Sequence, residues 1–124
     1  MRADQIHETE ATHFVVDFYQ VEKPELLDDL EFCSEVVIEA ATVSGCGILN
    51  IFKHKFYPQG VSVNATLSES HCAIHTWPER AYCAIDLYGC GDSNLRKGVD
   101  LFIERFKPKK TRIQELKRGH EHEN

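Results

Sequence analysis

Two histidines, His71 and His75, stand four residues apart, with Ser70 immediately before them and Cys90 further along. A metal site is the first chemistry this spacing suggests. On a helix both rings would reach one ion. On a strand, at about 3.3 Å per residue, they sit about 13 Å apart, whereas zinc needs its ligands at about 2 Å. The segment reads as a strand, so no metal is expected at this pair. A Cys-His hydrolase is the second possibility, because Cys90 precedes a predicted helix start, where a thiol pKa is lowered. No local hydrolase signature surrounds either residue, so that signal is weak. The pair His120/His122 lies in a polar C-terminal stretch and reads as a frayed tail.

The elements that must position these side chains follow from pattern. Residues 12–19 are rich in β-branched and aromatic types and predict a strand. Pro24 suits the first turn of a helix whose apolar face is Leu26, Leu30, Cys33, Val37 and Ala40/Ala41, ending near Gly45 and Gly47. Strands are expected near 48–57, 61–68, 71–77 and 81–88, broken at Pro58-Gln59-Gly60, Glu69-Ser70 and Pro78-Glu79. A second helix should start at Asp92 or Ser93, both good N-caps, with Leu95, Val99, Phe102 and Phe106 facing inward and Pro108 ending it. A last strand is expected at about 110–117. The order βαββββαβ predicts an α+β two-layer sandwich, an antiparallel-rich sheet with both helices on one face.

Strand parity sorts the side chains. Val61, Val63, Ala65 and Leu67 oppose Ser62, Asn64 and Thr66; Cys72 and Ile74 oppose His71 and His75; Cys83, Ile85 and Leu87 oppose Tyr82, Asp86 and Tyr88. One face is a core beneath the helices. The other is either simply wetted, as one side of an antiparallel sheet often is, or a face built for catalysis.

The run from Leu67 to Glu79 (LSESHCAIHTWPE) closely resembles the processing site of bacterial and archaeal S-adenosylmethionine decarboxylases, a pyruvoyl-dependent proenzyme family. So does Phe56-Tyr57-Pro58-Gln59-Gly60-Val61-Ser62, and Cys90-Gly91 falls where that family has its Cys-Gly pair. The resemblance is dense from about His54 to Asp92 and looser elsewhere. It implies that the single domain 1–124 cuts itself between Glu69 and Ser70 into a β chain, 1–69, and an α chain, 70–124. Ser70 Oγ would attack the Glu69 carbonyl to turn an amide into an ester; elimination and hydrolysis would leave Ser70 as a pyruvoyl group. A serine hydroxyl is a poor nucleophile without an activating base and a stabilised oxyanion. The matching positions give His75 as proton carrier and Ser62 as its helper. In turnover the pyruvoyl carbonyl would form a Schiff base with the substrate amine and act as an electron sink. Cys90 matches the acid that protonates the α-carbon, Phe56 the aromatic that stacks on adenine, and Glu79 the acid that binds ribose hydroxyls. Beside these roles stand plainer ones: a small buried thiol, a core aromatic and a turn carboxylate. Trp77 reads as packing. Parity puts Ser70 and His75 on opposite faces, so their convergence requires a bend near Glu69-Ser70.

Three positions depart from the family pattern. Val63 stands where glycine is frequent, Gly89 where threonine is common, and Ala11-Thr12-His13 replaces Gly-Lys/Arg-His. Val63 and Gly89 are expected to reshape the pocket. The resemblance implies S-adenosylmethionine as substrate, whose decarboxylated product is the aminopropyl donor for spermidine; because of these departures, ornithine, arginine or a similar basic amino acid is the alternative, and a non-enzymatic homologue a second. Retention of Phe56 and Glu79 favours the nucleoside. The resemblance also implies a homodimer whose polar sheet faces help build the sites.

Composition bounds the rest. The 124 residues are 42% hydrophobic and 27% charged, the range of one globular domain. The net charge of -6 argues against a nucleic-acid partner; the short basic cluster Lys107, Lys109, Lys110 and Arg112 reads as a solvated edge. Five cysteines, Cys33, Cys46, Cys72, Cys83 and Cys90, lack Cys-x-x-Cys spacing, which disfavours a disulfide framework or zinc ribbon and leaves some as small core residues. No apolar run approaches the roughly 18 residues that would span a membrane, and the polar first ten residues do not resemble a signal peptide. A cytoplasmic location is expected, with residues 1–10 and 118–124 frayed.

Overall fold

Alternation of Phe14, Val16 and Phe18 with half-buried neighbours makes the first long segment a strand, β1 (Ala11–Val21), which lies inside the sheet, one strand from its edge. The computed structural model describes residues 9–90 and 93–119. After β1 come α1 (Leu30–Val43), β2 (Ile48–Lys55), β3 (Val61–Leu67), β4 (Ser70–Trp77), β5 (Tyr82–Cys90), α2 (Leu95–Phe106) and β6 (Pro108–Arg118). Every pairing is antiparallel, in the order β2-β3-β4-β5-β1-β6. The α+β architecture and the βαββββαβ order read from the sequence are therefore those of the structure.

Both helices cover one face. Val61, Val63, Ala65, Leu67, Cys72, Ile74, Cys83, Ile85 and Leu87 of the sheet pack in one core with Val36, Val37, Ala40 and Ala41 of α1 and Val99, Phe102 and Phe106 of α2. The helices also touch each other, and Gly98 lets them. A Cβ there would stand 2.5 Å from Ser44 Oγ, 2.7 Å from a Leu87 methyl and 3.0 Å from the Ala40 carbonyl oxygen. Gly45, at φ +80, ends α1: its amide donates to the Thr42 carbonyl and that of Cys46 to Ala41, the paired bonds of a Schellman cap.

Three boundaries differ from the sequence reading. Pro24 opens a short 3-10 turn, Pro24–Asp28, and α1 begins only at Leu30. Asp29 breaks the run: its backbone is extended and its carboxylate accepts the Phe32 amide at 3.0 Å, so it caps a new helix. The second helix starts at Leu95 with Asn94 as N-cap. Asp92 lies outside the described residues, and Ser93 turns its hydroxyl to two thiols. Cys90 is thus the last residue of a strand, not a residue at a helix start. Finally, β6 is longer than expected. Arg118 pairs with Ala11, and the Thr9 hydroxyl donates to the Gly119 carbonyl at 3.1 Å, so residues 9–10 and 118–119 are tied down; the remainder of both expected frayed ends lies outside the described residues. Lys107, Lys109, Lys110 and Arg112 are exposed at this edge strand.

Candidate active site

The helix-free face of the sheet carries the titratable groups in rows set by register. One row is His54, Ser62, His75, Ala84, Asp17 and Arg112; another is Thr66, His71, Tyr88, His13 and Leu116. In the first, Ser62 Oγ and His75 Nδ1 are 2.8 Å apart. With the proton on Nε2, the hydroxyl donates to Nδ1 and fixes the ring; with the proton on Nδ1, the bond reverses. In the second, His13 Nε2 lies 2.8 Å from Asp86 Oδ1 while His71 packs edge-on against His13 and tilted against Tyr88. Burial first, and then the neighbouring His13 and Arg118, hold the His71 pKa below its ordinary value despite Asp86. His71 and His75 serve separate clusters, consistent with their strand spacing.

Ser62 and His75 line a cleft of about 490 Å³ with Phe56, Gln59, Val61, Thr76, Trp77 and Glu79. Phe56 is 47% exposed, so the core-aromatic reading does not apply to it. Trp77 packs as expected and also borders the cleft. It leans on Tyr82 at 5.4 Å, yet it remains 41% exposed and forms part of the cleft wall. Alternation along β4 would have placed Trp77 on the His75 face, and that was the signal available for it.

The other group sits at the far end of β4. Leu67 of β3 faces Ser70 of β4 across the two-residue link Ser68-Glu69, in which Glu69 takes a left-handed φ of +69. Such a conformation is costly for a residue with a Cβ, and it falls at the expected scissile position. Ser70 Oγ donates to the Ser68 carbonyl at 3.3 Å. Glu69 and Cys90 line one cavity of about 250 Å³ with Cys46, Ser68 and Ser93. The Ser93 hydroxyl lies 3.4 Å from Cys90 Sγ and 3.7 Å from Cys46 Sγ. Cys46 and Ser93 were not read as site residues from the sequence, since the loop after α1 and the β5–α2 link meet only in the fold. None of the five cysteines forms a disulfide among the described residues. Cys33, Cys72 and Cys83 are buried in the core, where desolvation pushes the thiol pKa up, to about 12 for Cys33.

The bend at Glu69-Ser70 therefore exists, but it does not bring Ser70 to His75. Five residue steps along β4 separate them, about 16 Å at 3.3 Å per residue. The structure brings together Ser62, His75, Phe56 and Glu79 at one end, and Glu69, Ser70 and Cys90 at the other. The expectation that Val63 and Gly89 reshape the pocket also fails. Val63 is fully buried in the core, and a Cβ on Gly89 would run into the Leu95 side chain, 2.8 Å away; neither residue lines either cavity.

Comparison with known proteins covers most of the chain. The family model described as S-adenosylmethionine decarboxylase matches residues 12–119. The chain is 40% identical over 113 residues to a protein of Pyrococcus furiosus named S-adenosylmethionine decarboxylase proenzyme, covering 90% of this chain and 81% of that one. It is 40% identical over 114 residues to a protein of the same name from Brevibacillus brevis, covering 91% and 85%. Among solved structures it is similar to the adenosylmethionine decarboxylase of Aquifex aeolicus, with a TM-score of 0.84 and 29% identity over 90% of this chain and 92% of that one.

Proposed function

This chain belongs to the S-adenosylmethionine decarboxylase family, and we propose that it is a self-processing, pyruvoyl-dependent enzyme that converts S-adenosylmethionine to its decarboxylated form for spermidine synthesis. The observation that carries the reading is the Glu69-Ser70 turn: the expected scissile bond follows a residue held at φ +69, beside a cavity that Glu69 shares with Cys90.

The residues at that turn suit the group they would generate. Attack of Ser70 Oγ on the Glu69 carbonyl carbon breaks the C–N bond as the ester C–O bond forms, and relieves the constrained Glu69 conformation. Elimination then frees the Glu69 carboxylate as the end of chain 1–69, and hydrolysis releases ammonia from residue 70. Once present, the pyruvoyl group supplies an electron sink for loss of CO2. The chain's own residues do the remainder. Cys90 Sγ, steered by Ser93, holds the proton for the substrate α-carbon. The ring of Phe56 offers a stacking surface to adenine, and the Glu79 carboxylate accepts from ribose hydroxyls. The Ser62–His75 pair, joined by its 2.8 Å hydrogen bond, carries protons during self-cleavage.

Because about 16 Å separates the two ends within one chain, the working site joins Glu69, Ser70 and Cys90 of one protomer to Ser62, His75, Phe56 and Glu79 of its partner. A two-fold axis that stacks the helix-free faces places one end over the other. Phe52, Trp77 and Leu116, at 61%, 41% and 45% exposure on that face, give such a homodimer apolar contacts. No helix among the described residues is long and apolar enough to cross a membrane, and five cysteines without a disulfide among the described residues support a reducing, cytoplasmic setting.

Denaturing mass spectrometry of the purified protein is expected to show two fragments split before residue 70, and one intact chain for Ser70→Ala. An intact wild-type chain would refute the self-processing and favour a non-enzymatic homologue. CO2 release is expected from S-adenosylmethionine and not from ornithine or arginine; the reverse would assign a basic amino acid as substrate.

A further inference from the structure

The 56–60 loop, which carries Phe56, forms the wall between two clefts. Phe56 and Gln59 face the Ser62–His75 cleft, while Tyr57 and Gln59 line a second cleft of about 820 Å³ that also includes Asp28 and Lys55. Asp28, the last residue of the 3-10 turn, braces this wall from behind. Its Oδ1 accepts from the Gly60 amide at 2.8 Å and from Lys55 Nζ at 2.7 Å. Lys55 Nζ also donates to the Phe56 carbonyl at 3.1 Å and sits 5.1 Å from the centre of the Tyr57 ring. The Phe56 amide in turn donates to the Gly60 carbonyl at 2.8 Å. One carboxylate oxygen thus grips both ends of the loop, directly at Gly60 and through Lys55 at Phe56.

The turn that carries Asp28 is itself anchored to the floor of the Ser62–His75 cleft. Buried Thr76, next to His75, donates to the Leu27 carbonyl at 2.6 Å and accepts the Val61 amide at 2.9 Å. Gly60 completes the fit: at φ +108 a Cβ would be strained and would stand 3.2 Å from the Thr76 carbonyl oxygen. The position of Phe56 relative to His75 is therefore set by a path from Thr76 through Leu27 and Asp28 to Gly60 and Lys55.

We infer that Asp28 is a positioning residue for substrate binding, holding the 56–60 loop so that the Phe56 ring faces the cleft as a stacking surface for a planar base. This rests on the reading of Phe56 as the adenine contact. Asp28 acts through Phe56 and touches no reacting atom, so its loss weakens binding and leaves chemistry in place. Loss of one aromatic stack, with every 1.4 kcal/mol a factor of ten, corresponds to about a tenfold change in affinity. The Lys55 bond, then the Gly60 bond, keep the Asp28 carboxyl below the usual carboxylate range, which leaves it ionised through the neutral range.

The test is steady-state decarboxylation of S-adenosylmethionine by full-length variants, with mass spectrometry to confirm normal self-cleavage. For Asp28→Ala, KM is expected to rise about tenfold with kcat changed less than about twofold; Asp28→Asn, which keeps an acceptor for Gly60, is expected to recover part of the loss. Glu39→Gln, which removes a somewhat more exposed ion pair with Arg105 on the helices, is expected to leave KM unchanged. A wild-type KM in cleaved Asp28→Ala, while Phe56→Ala raises KM, overturns this inference alone. A wild-type protein that does not turn over S-adenosylmethionine, or a Phe56→Ala variant with unchanged KM, overturns the substrate reading and this inference with it. Should Asp28→Ala fail to fold, Lys55→Met takes its place, and an unchanged KM there is equally fatal.

Discussion

If each site is shared between protomers, two dead variants must rescue one another. His75→Ala removes the proton carrier and Cys90→Ala the α-carbon acid; each homodimer lacks one function at both sites. In a mixed dimer the partner's His75 meets the intact Ser70 and Cys90 of the His75→Ala chain, giving one whole site, while the second site carries both lesions. Random pairing of equal amounts makes about half the dimers mixed, each with half its sites, so co-expression should return about a quarter of wild-type activity. Proton transfer needs heavy atoms within about 3 Å, or one water, so the 16 Å gap inside a chain leaves no alternative route. Mass spectrometry gives an independent readout, because about half of the His75→Ala chains should be cut in the mixture and none when expressed alone. CO2 release above neither parent, with mixed dimers demonstrated by differential tags, would refute the shared site.

Further expectations follow from particular contacts. Trp77→Ala should cut normally yet raise KM several-fold, since its exposed ring lines the cleft beside Phe56; unchanged kinetics would return it to a packing role. Gly98→Val should lower stability by about 1–3 kcal/mol in urea unfolding, because its first carbon already meets Ser44, Leu87 and the Ala40 carbonyl. His71 has its folded pKa depressed by burial, so the unfolded chain binds that proton more readily. Its contribution is complete above about pH 6.5 and is lost as pH falls through the folded value. His71→Gln should accordingly show a smaller drop in urea midpoint between pH 7.5 and 5.5 than wild type. An equal drop would remove His71 from the acid sensitivity.

Strand periodicity carried most of the fold. Alternation in residues 61–67 and 82–88 named which side chains enter the core, because antiparallel strands with one covered face leave little freedom in register. Boundaries were less legible where local capping competes with periodicity. Leu26 and Leu30 share the spacing of one apolar face, yet Asp29 gains more as a cap for Phe32 than as a helical residue. The start of α2 went the same way: Ser93, a good N-cap by type, is held instead between Cys46 and Cys90. Asp28 and Thr76 were invisible as positioning groups because their partners, Gly60 and Leu27, are distant in sequence and are met only through backbone atoms that no pattern records.

The contiguous run from Leu67 to Glu79 holds the expected nucleophile, proton carrier and ribose acid, which in sequence reads as one site. A strand does not permit that. Each residue advances the chain by about 3.3 Å and reverses the face, so Ser70 and His75 part in both distance and direction. The proposed function accommodates such a run by letting the strand pass through two sites and feed each end into a different one. Two-fold symmetry supplies that arrangement without further chain, since the same strand in the partner runs the opposite way across the facing sheet. On the shared-site proposal, the closeness of Ser70 and His75 in sequence would record the length of a strand that links two equivalent centres, with the chemistry assembled between strands of different chains.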